Sequence, residues 1–407
     1  MHRKLLTVMV VVLALSVLVS SCAPAATPTP QIITKIETKV VEKIVEKPVL
    51  AKSILIGASY PMTGAETYMY TVECLVQKMA ASEINAQGGV LGRPIEIRCI
   101  DDAGDPKQAV VVDQQLCDDK EIVCAYAHGY SGCTIPGLPI TNKCRLPQIT
   151  HGSNPRITTL GFDNIFQNLA DDSLNGSAAA DFLFKEKGVK TVAIIHNKTM
   201  FGQGVADLFK ARCDQLGIKV TSYQGVDADA PDYSAVLTKI KAEKPDALYT
   251  GMYVESARVR KQMIALGMQN VIYMGAELTN TEYMNSVGAD GVGAFTCTSA
   301  PDREMSDKTK AFTQRCLKAF SLAPEPWNFY AYEGIYIFAD AIKRAGSTDR
   351  EAIIKALRTT DVKGVGMDYN FSFDAKGRLK EPRTFIYECK APNSFSVVWS
   401  YVGPYPQ

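Results

Sequence analysis

The chain is predicted to be α/β and to fold as two domains, and three observations predict this. Residues 54–112, ILIGASYPMTGAETYMYTVECLVQKMAASEINAQGGVLGRPIEIRCIDDAGDPKQAVVV, hold a short apolar strand, a Gly-punctuated loop, an amphipathic helix and a second strand, which is one complete βαβ unit. Further apolar runs near 122–127, 147–150, 191–196, 218–223, 246–251 and 271–275 alternate with helical patterns, as in parallel sheets covered by helices on both faces. Residues 53–407 are also more than a single hydrophobic core usually fills, so two lobes of ordinary domain size are expected.

Taken in order, residues 1–22 carry Arg3 and Lys4, an apolar run over 5–19 and then Val19-Ser-Ser-Cys22, the pattern of a lipoprotein signal with Cys22 as the lipidated residue. A membrane-spanning helix would need roughly 20 apolar residues, and this run is shorter. Residues 23–52 change character to Ala-Pro-Ala-Ala-Thr-Pro-Thr-Pro and then a Lys/Glu/Val/Ile stretch without Gly or aromatic residues, which reads as a tether. Ile33, Ile36, Val40 and Ile44 fall at helical spacing, so a short partner helix stays open as the other reading of this segment. The expected location is the outer face of the cytoplasmic membrane or the periplasm, held by the lipid on Cys22.

Residues 53–407 keep 37 basic and 40 acidic side chains, a net charge of −3. That balance gives no reason to expect nucleic acid or an anionic surface as a partner. Besides Cys22 there are ten cysteines, an even number that fits disulfides in an oxidising compartment. Cys117 with Cys124, and Cys133 with Cys144, are the expected local bridges, with buried thiols as the alternative. No cysteine pair or histidine stands at metal-ligand spacing, so neither metal nor cofactor is expected.

Helix ends are marked by Gly88-Gly89, Gly188, Gly217, Gly267 and Gly288, each just past a helical stretch where a left-handed residue is wanted. Beyond Asp302 three helical segments follow in near succession, about 306–320, 328–344 and 349–358. Strands around 383–390 and 395–401 come last.

The turn Asn85-Ala-Gln-Gly-Gly-Val-Leu-Gly-Arg-Pro94, followed by a strand and by Asp101-Asp-Ala-Gly-Asp-Pro-Lys-Gln-Ala109, resembles the opening of the branched-chain amino-acid (Leu/Ile/Val-type) binding proteins that serve ABC importers. The likeness runs over roughly residues 53–402. It implies a type I periplasmic-binding-protein fold, with two doubly wound, Rossmann-like lobes joined by a three-stranded hinge. It places the crossings near 166–169, 295–300 and 366–371, giving lobe I as 53–167 plus 298–368 and lobe II as 168–297 plus 369–407. The implied partners are a small-molecule amino acid and ABC permease subunits, and the expected state is a monomer.

In open α/β sheets ligands sit at the carboxyl ends of strands. Two loops occupy that position: His128-Gly-Tyr-Ser131-Gly-Cys-Thr134 and Thr150-His-Gly152-Ser153-Asn154-Pro155. A hydroxyl plus free N–H groups suits a carboxylate, although a serine there also caps its own helix or turn. The resemblance assigns Ser131, Ser153 and the backbone at Gly152 to a ligand α-carboxylate. It assigns Glu277, in Tyr273-Met-Gly-Ala-Glu277-Leu-Thr, to the ammonium. It assigns Phe201 and Tyr253 to the aromatic walls, with Tyr68 a third aromatic whose register is ambiguous. Phe201 stands where the family usually has Tyr, and His128 and His151 bring imidazoles to the carboxylate loops. These departures put the recognised side chain in doubt more than the zwitterion, and urea, short amides or aromatic acids are the alternative ligands.

An enzyme is not expected. Gly129-Tyr-Ser131-Gly-Cys133 partly resembles a nucleophile elbow but has Cys where the turn needs Gly, and no histidine follows His196 to complete a triad. A sensor that passes its ligand state to a membrane receptor would share the fold, and only its downstream partner would tell it from a transport protein.

Overall fold

The computed structural model describes residues 52–64 and 67–405, apart from the side chains of Tyr68 and Met69. The signal segment with Cys22 and the tether up to residue 51 lie outside the described residues.

Strands β1 (Ile54–Tyr60), β2 (Ile95–Asp101), β3 (Ile122–Ala127), β4 (Gln148–Thr150) and β5 (Ile165–Gln167) form a parallel sheet in the order β2-β1-β3-β4-β5. Strands β6 (Thr191–His196), β7 (Lys219–Gly225), β8 (Ala247–Gly251), β9 (Ile272–Ala276) and β10 (Phe295–Thr298) repeat that wiring as β7-β6-β8-β9-β10. A two-stranded ribbon, β11 (Asp361–Lys363) and β12 (Asn370–Ser372), follows three helices. Strands β13 (Arg383–Ala391) and β14 (Ser394–Val402) then extend the second sheet beside β10 in antiparallel sense.

The apolar runs become strands because both faces are covered. Every residue of β1 and β3 is buried. Ile54, Ile56 and Ala58 face a core shared with the helix Asn328–Ala345, whereas Leu55 faces Val112, Leu116 and Leu146 on the other side. In the second sheet Val192 and Ile194 point to one core and Ala193 and Ile195 to the other. Helices Asp307–Phe320, Asn328–Ala345 and Arg350–Leu357 pack on the first core although they follow β10, so the chain returns to the first sheet before β13 joins the second.

The turn that carried the resemblance is built by two residues. The Asn85 side chain donates to Ile95 O at 2.8 Å and accepts from Ile95 N at 2.7 Å, anchoring the start of β2 to the preceding helix. Gly89 has φ +71°, and a Cβ there would meet Arg93 O at 2.1 Å, so only glycine closes the turn. The Asp-rich run has separate tasks for each carboxylate. Asp101 accepts from Met62 N, Thr63 N, Ala103 N and Thr63 Oγ1, and these bonds outweigh burial and hold its carboxyl below the usual range. Asp105 caps the helix Pro106–Asp118 by accepting from Lys107 N and Gln108 N. Asp102 turns inward and stands 2.7 Å from His128 Nδ1, while Asp113 stands 3.1 Å from His128 Nε2. Burial alone would lower the His128 pKa, but the two acids together push it up to about 10. The buried ring is therefore an imidazolium clamped between two acids.

The cysteine expectation is corrected. Cys117 pairs with Cys144 (Cα–Cα 5.7 Å) and Cys74 with Cys99 (Cα–Cα 6.2 Å), while Cys124 and Cys133 are buried thiols. Cys124 points from mid-strand into the first core, away from Cys117. Cys117 and Cys144 meet because each ends or follows one of two adjacent helices, Pro106–Asp118 and Ser131–Lys143. Alkylation of the unreduced, denatured chain followed by peptide mass spectrometry should label Cys124, Cys133, Cys213, Cys297, Cys316 and Cys389. It should leave Cys74, Cys99, Cys117 and Cys144 unlabelled. Peptides linked through Cys124 or Cys133 would contradict these pairings.

Candidate functional site

A small cavity lies where the carboxyl ends of the two sheets face each other. It is lined by Tyr70, Gly129, Tyr130, His151, Ser153, Phe201, Tyr253, Glu277 and Trp327. Four sequence-predicted residues, Ser153, Phe201, Tyr253 and Glu277, are thereby brought together from four loops. A larger chamber of about 790 Å³ shares Tyr130, Phe201 and Tyr253 with it and extends toward Pro106, Pro136 and Arg258.

The aromatic wall depends on a close approach of backbones. Thr199 caps the helix Met200–Leu216 by accepting from Gly202 N, which sets Phe201 in the first helical turn. A Cβ on Gly202 would meet Gly251 O at 2.4 Å, and one on Gly251 would meet Gly202 O at 2.3 Å. With glycine at both positions the helix start lies directly on the end of β8. Phe201 then stacks on Tyr253 with ring centroids 4.5 Å apart. Such a pair contributes on the order of 1 kcal/mol beyond the area it buries.

Glu277 follows β9 with φ +61°, a left-handed conformation that costs a non-glycine residue on the order of 1 kcal/mol or more. Its neighbours hold it there: Leu278 N donates to Thr296 Oγ1 at 2.9 Å, and Asn280 Nδ2 donates to Glu277 O at 2.9 Å. The carboxyl is buried, and Oε2 accepts one bond, from Thr298 Oγ1 at 2.9 Å. Burial pushes its pKa well above the usual glutamate value; the Thr298 bond opposes this and the nearby Asp172 adds to it. Asp172 is itself pushed up to about 7 by burial, against the bond from Ser153. The second sheet thus presents to the cavity an acid whose charge lacks a cation among the described residues.

The carboxylate loops are arranged differently from expectation. The Ser131 hydroxyl accepts from Asn154 N at 3.1 Å, so it ties the two loops together and is not among the cavity-lining residues. Ser131 does not cap its helix; the N-cap is Tyr130, which makes no side-chain cap bond. Ser153 reaches the cavity, but its hydroxyl donates to Asp172 Oδ2 at 3.0 Å, and its carbonyl accepts from Asp172 N at 2.8 Å. Gly152 lies behind the surface, its N–H on Thr150 Oγ1 at 3.0 Å and its carbonyl accepting from Gln167 Nε2 at 2.7 Å. Tyr68 lies on the short helix Thr67–Tyr70, and its side chain is outside the described part.

Tyr70 lines the cavity, with its hydroxyl donating to Gly129 O at 2.7 Å. Trp327, Tyr130 and Gly129 were not singled out from the sequence. The two tyrosines of Thr67-Tyr-Met-Tyr70 were the available signal for the first wall. Nothing local marks Trp327, which arrives just before the helix Asn328–Ala345.

Two facing α/β sheets with a cavity at their carboxyl edges define a two-lobed solute-binding protein. A profile of the family described as periplasmic binding protein matches residues 53–393. Leu/Ile/Val-binding protein homolog 1 of Brucella abortus is 31% identical over 341 residues, covering 82% of this chain and 90% of that one. A leucine-binding protein of Thermotoga maritima superposes with TM-score 0.78 at 21% identity, covering 86% of this chain and 99% of its own. The branched-chain amino-acid transporter substrate-binding protein of Streptococcus pneumoniae, solved with isoleucine, gives TM-score 0.76 at 22% identity, covering 87% and 100%. The chain belongs to the periplasmic binding protein family, whose members bind solutes and are not enzymes.

Glu277 sets a pH signature for the ligand-free protein. Its folded pKa is raised, so its contribution to stability is present at low pH, where the carboxyl is protonated in either state, and is lost as pH rises through the folded value. Glu277→Gln keeps the Thr298 contact without the charge. The ligand-free variant should therefore melt higher than wild type at pH 7–8, by a margin that shrinks toward pH 4. A margin independent of pH in thermal unfolding scans would contradict the assignment.

Proposed function

We propose that the protein is the extracytoplasmic solute-binding subunit of an ABC importer, capturing a branched-chain or closely related amino acid. The observation that carries this reading is the pairing, in one cavity, of an uncompensated acid, Glu277, with an aromatic wall of Phe201, Tyr253, Tyr70 and Trp327. An ammonium group supplies the charge that Glu277 lacks, and an aliphatic side chain gains roughly 1.5–3 kcal/mol from burial against the rings. The ligand's carboxylate then faces the loops after β3 and β4, across the cavity from Glu277. The Brucella and Streptococcus relatives, named for Leu/Ile/Val binding and branched-chain amino-acid transport, support the same class of ligand.

Capture proceeds by hinge closure. Residues before β5 and the three helices after β10 move as one lobe, and the second sheet moves as the other. We place the hinge crossings near 167–171 and 298–300, and the third, which the resemblance put near 366–371, later, just before Arg383, because Phe371, Phe373 and Leu379 pack in the first core. Contacts that join the lobes, such as Asn154 Nδ2 donating to Met200 O at 3.2 Å, form only in the closed state, and the ligand adds contacts to that state alone. The permease subunits read the closed shape, and the protein acts as a monomer.

Titration calorimetry of the full chain with leucine, isoleucine and valine should give saturable binding. Glu277→Ala should weaken it by roughly 2–5 kcal/mol, about thirtyfold to several thousandfold. An unchanged dissociation constant would remove Glu277 from the site. No heat with any of the three amino acids would sink the ligand assignment and turn attention to urea, amides and aromatic acids.

The Val19-Ser-Ser-Cys22 motif supports membrane attachment through a diacylated cysteine. Cells fed radiolabelled palmitate should label the wild-type chain and not Cys22→Ala; equal labelling of both would reject the anchor.

A further inference from the structure

We infer that His151, oriented by Glu73, is the donor that receives the anionic end of the ligand. The inference rests on the amino-acid reading above and assigns within it a contact that the serine residues do not supply.

His151 sits in the loop after β4, is buried and lines the cavity. Its Nδ1 stands 3.0 Å from Glu73 Oε1, and the other oxygen of Glu73 accepts from Asn328 Nδ2. Both residues are fully inside the first lobe, Glu73 on the helix Glu73–Ala86 and Asn328 on Asn328–Ala345. Tyr126 meets the ring edge-on at a centroid distance of 5.1 Å, and Trp327 and Tyr60 flank it at 6.2 and 6.4 Å. The ring plane is thus fixed on several sides, and neither ring nitrogen makes a hydrogen bond among the described residues, Nδ1 having only the ion-pair approach to Glu73 Oε1. An unpartnered buried ring nitrogen costs free energy. Here the residue that carries it lines a ligand cavity.

The two loop serines are engaged elsewhere. Ser153 gives its hydroxyl proton to Asp172, and Ser131 is held against Asn154 N outside the lining. The charge pattern selects what Nε2 takes. The ammonium is drawn to Glu277, on the opposite wall. A ring that carries its proton on Nε2 offers the ligand carboxylate a donor. A neutral ring protonated only at Nδ1 would turn a lone pair toward the carboxylate. Glu73, 3.0 Å from Nδ1, is a positioning residue for the ring, and His151 is the contact.

Binding of leucine and leucinamide to the full-length wild type, His151→Ala and His151→Gln separates this role from a packing role. Leucinamide keeps the ammonium and side chain but lacks the carboxylate. His151→Ala should lose roughly tenfold to a hundredfold in affinity for leucine, the range for a hydrogen bond to a charged group, while leucinamide binding changes little. His151→Gln, which carries an N–H donor at similar reach, should restore part of the loss. Equal weakening for both ligands, or none for leucine, overturns the inference. If His151→Ala fails to fold, wild type labelled with ¹⁵N-histidine decides: His151 Nε2 should be protonated when leucine is bound, and an unprotonated Nε2 overturns it. Failure of wild type to bind any branched-chain amino acid is a different result, because it removes the amino-acid reading and this inference together.

Discussion

A carboxyl group buried without a cation is the constraint around which the cavity is organised. Burial of an isolated charge is costly, and proteins normally answer it with a partner of opposite charge or a shell of donors. The first lobe follows that rule throughout. His128 is held between Asp102 and Asp113, Glu73 faces His151 and Asn328, and Glu333 accepts the N–H groups of Val365, Gly366 and Met367. Even so, burial leaves Glu333 at about 7. Glu277 departs from the rule: it has one hydroxyl donor, a neighbouring acid that raises its pKa further, and a left-handed backbone. The surrounding fold keeps this arrangement in place, and a cationic ligand group relieves it.

The repeated wiring explains why one such site exists where it does. In both sheets the strand order reverses beside the first strand, between β1 and β3 and again between β6 and β8, and loops leaving such a point diverge to opposite faces. Ser131 and Ser153 follow β3 and β4; Phe201, Tyr253 and Glu277 follow β6, β8 and β9. Every one of these side chains stands at the carboxyl end of its strand, so bringing the two edges together closes a single cavity. The close approach of Gly202 to Gly251 fixes the aromatic wall, and the Ser131 contact with Asn154 N fixes the opposing loops. Residues expected to touch ligand thus divide into those that face the cavity and those that hold the facing loops in register.

What the sequence made legible follows from which forces are local. Strands buried on both faces announce themselves as continuous apolar runs, and Gly217 and Gly267 end their helices at positive φ as the pattern required. Glu277, Phe201 and Tyr253 were assigned by the family resemblance, each in the segment that follows an apolar strand, and all three line the cavity. Pairing between distant residues was not legible. The bridge from Cys117 to Cys144 depends on two helices lying side by side, which no spacing encodes, and the nearer Cys124 is removed from reach by the direction its strand gives it. Tyr70, on the short helix Thr67–Tyr70, lines the cavity without having been singled out. Trp327 reaches the site only because the chain returns to the first sheet late. The use of Glu73 was hidden as well, since an acid at the start of a helix ordinarily serves the helix dipole in solvent.

The same electrostatics discriminates among the ligand classes that this fold could accept. A zwitterion brings one positive and one negative group, and the cavity offers Glu277 at one side and the loops with His151 at the other, so each charge it buries gains a partner. A purely anionic solute, such as an aromatic acid, would fit the ring-lined walls but add a second negative charge beside Glu277, whose pKa burial and the nearby Asp172 already raise. Its binding would require Glu277 to stay protonated, which burial permits but which forfeits the attraction that orients the ligand. An uncharged amide or urea would leave Glu277 with hydrogen bonds and no counter-charge. On the proposed reading the aromatic wall would set what size of side chain fits, while the unmatched acid would favour a molecule that carries a cation at its other end.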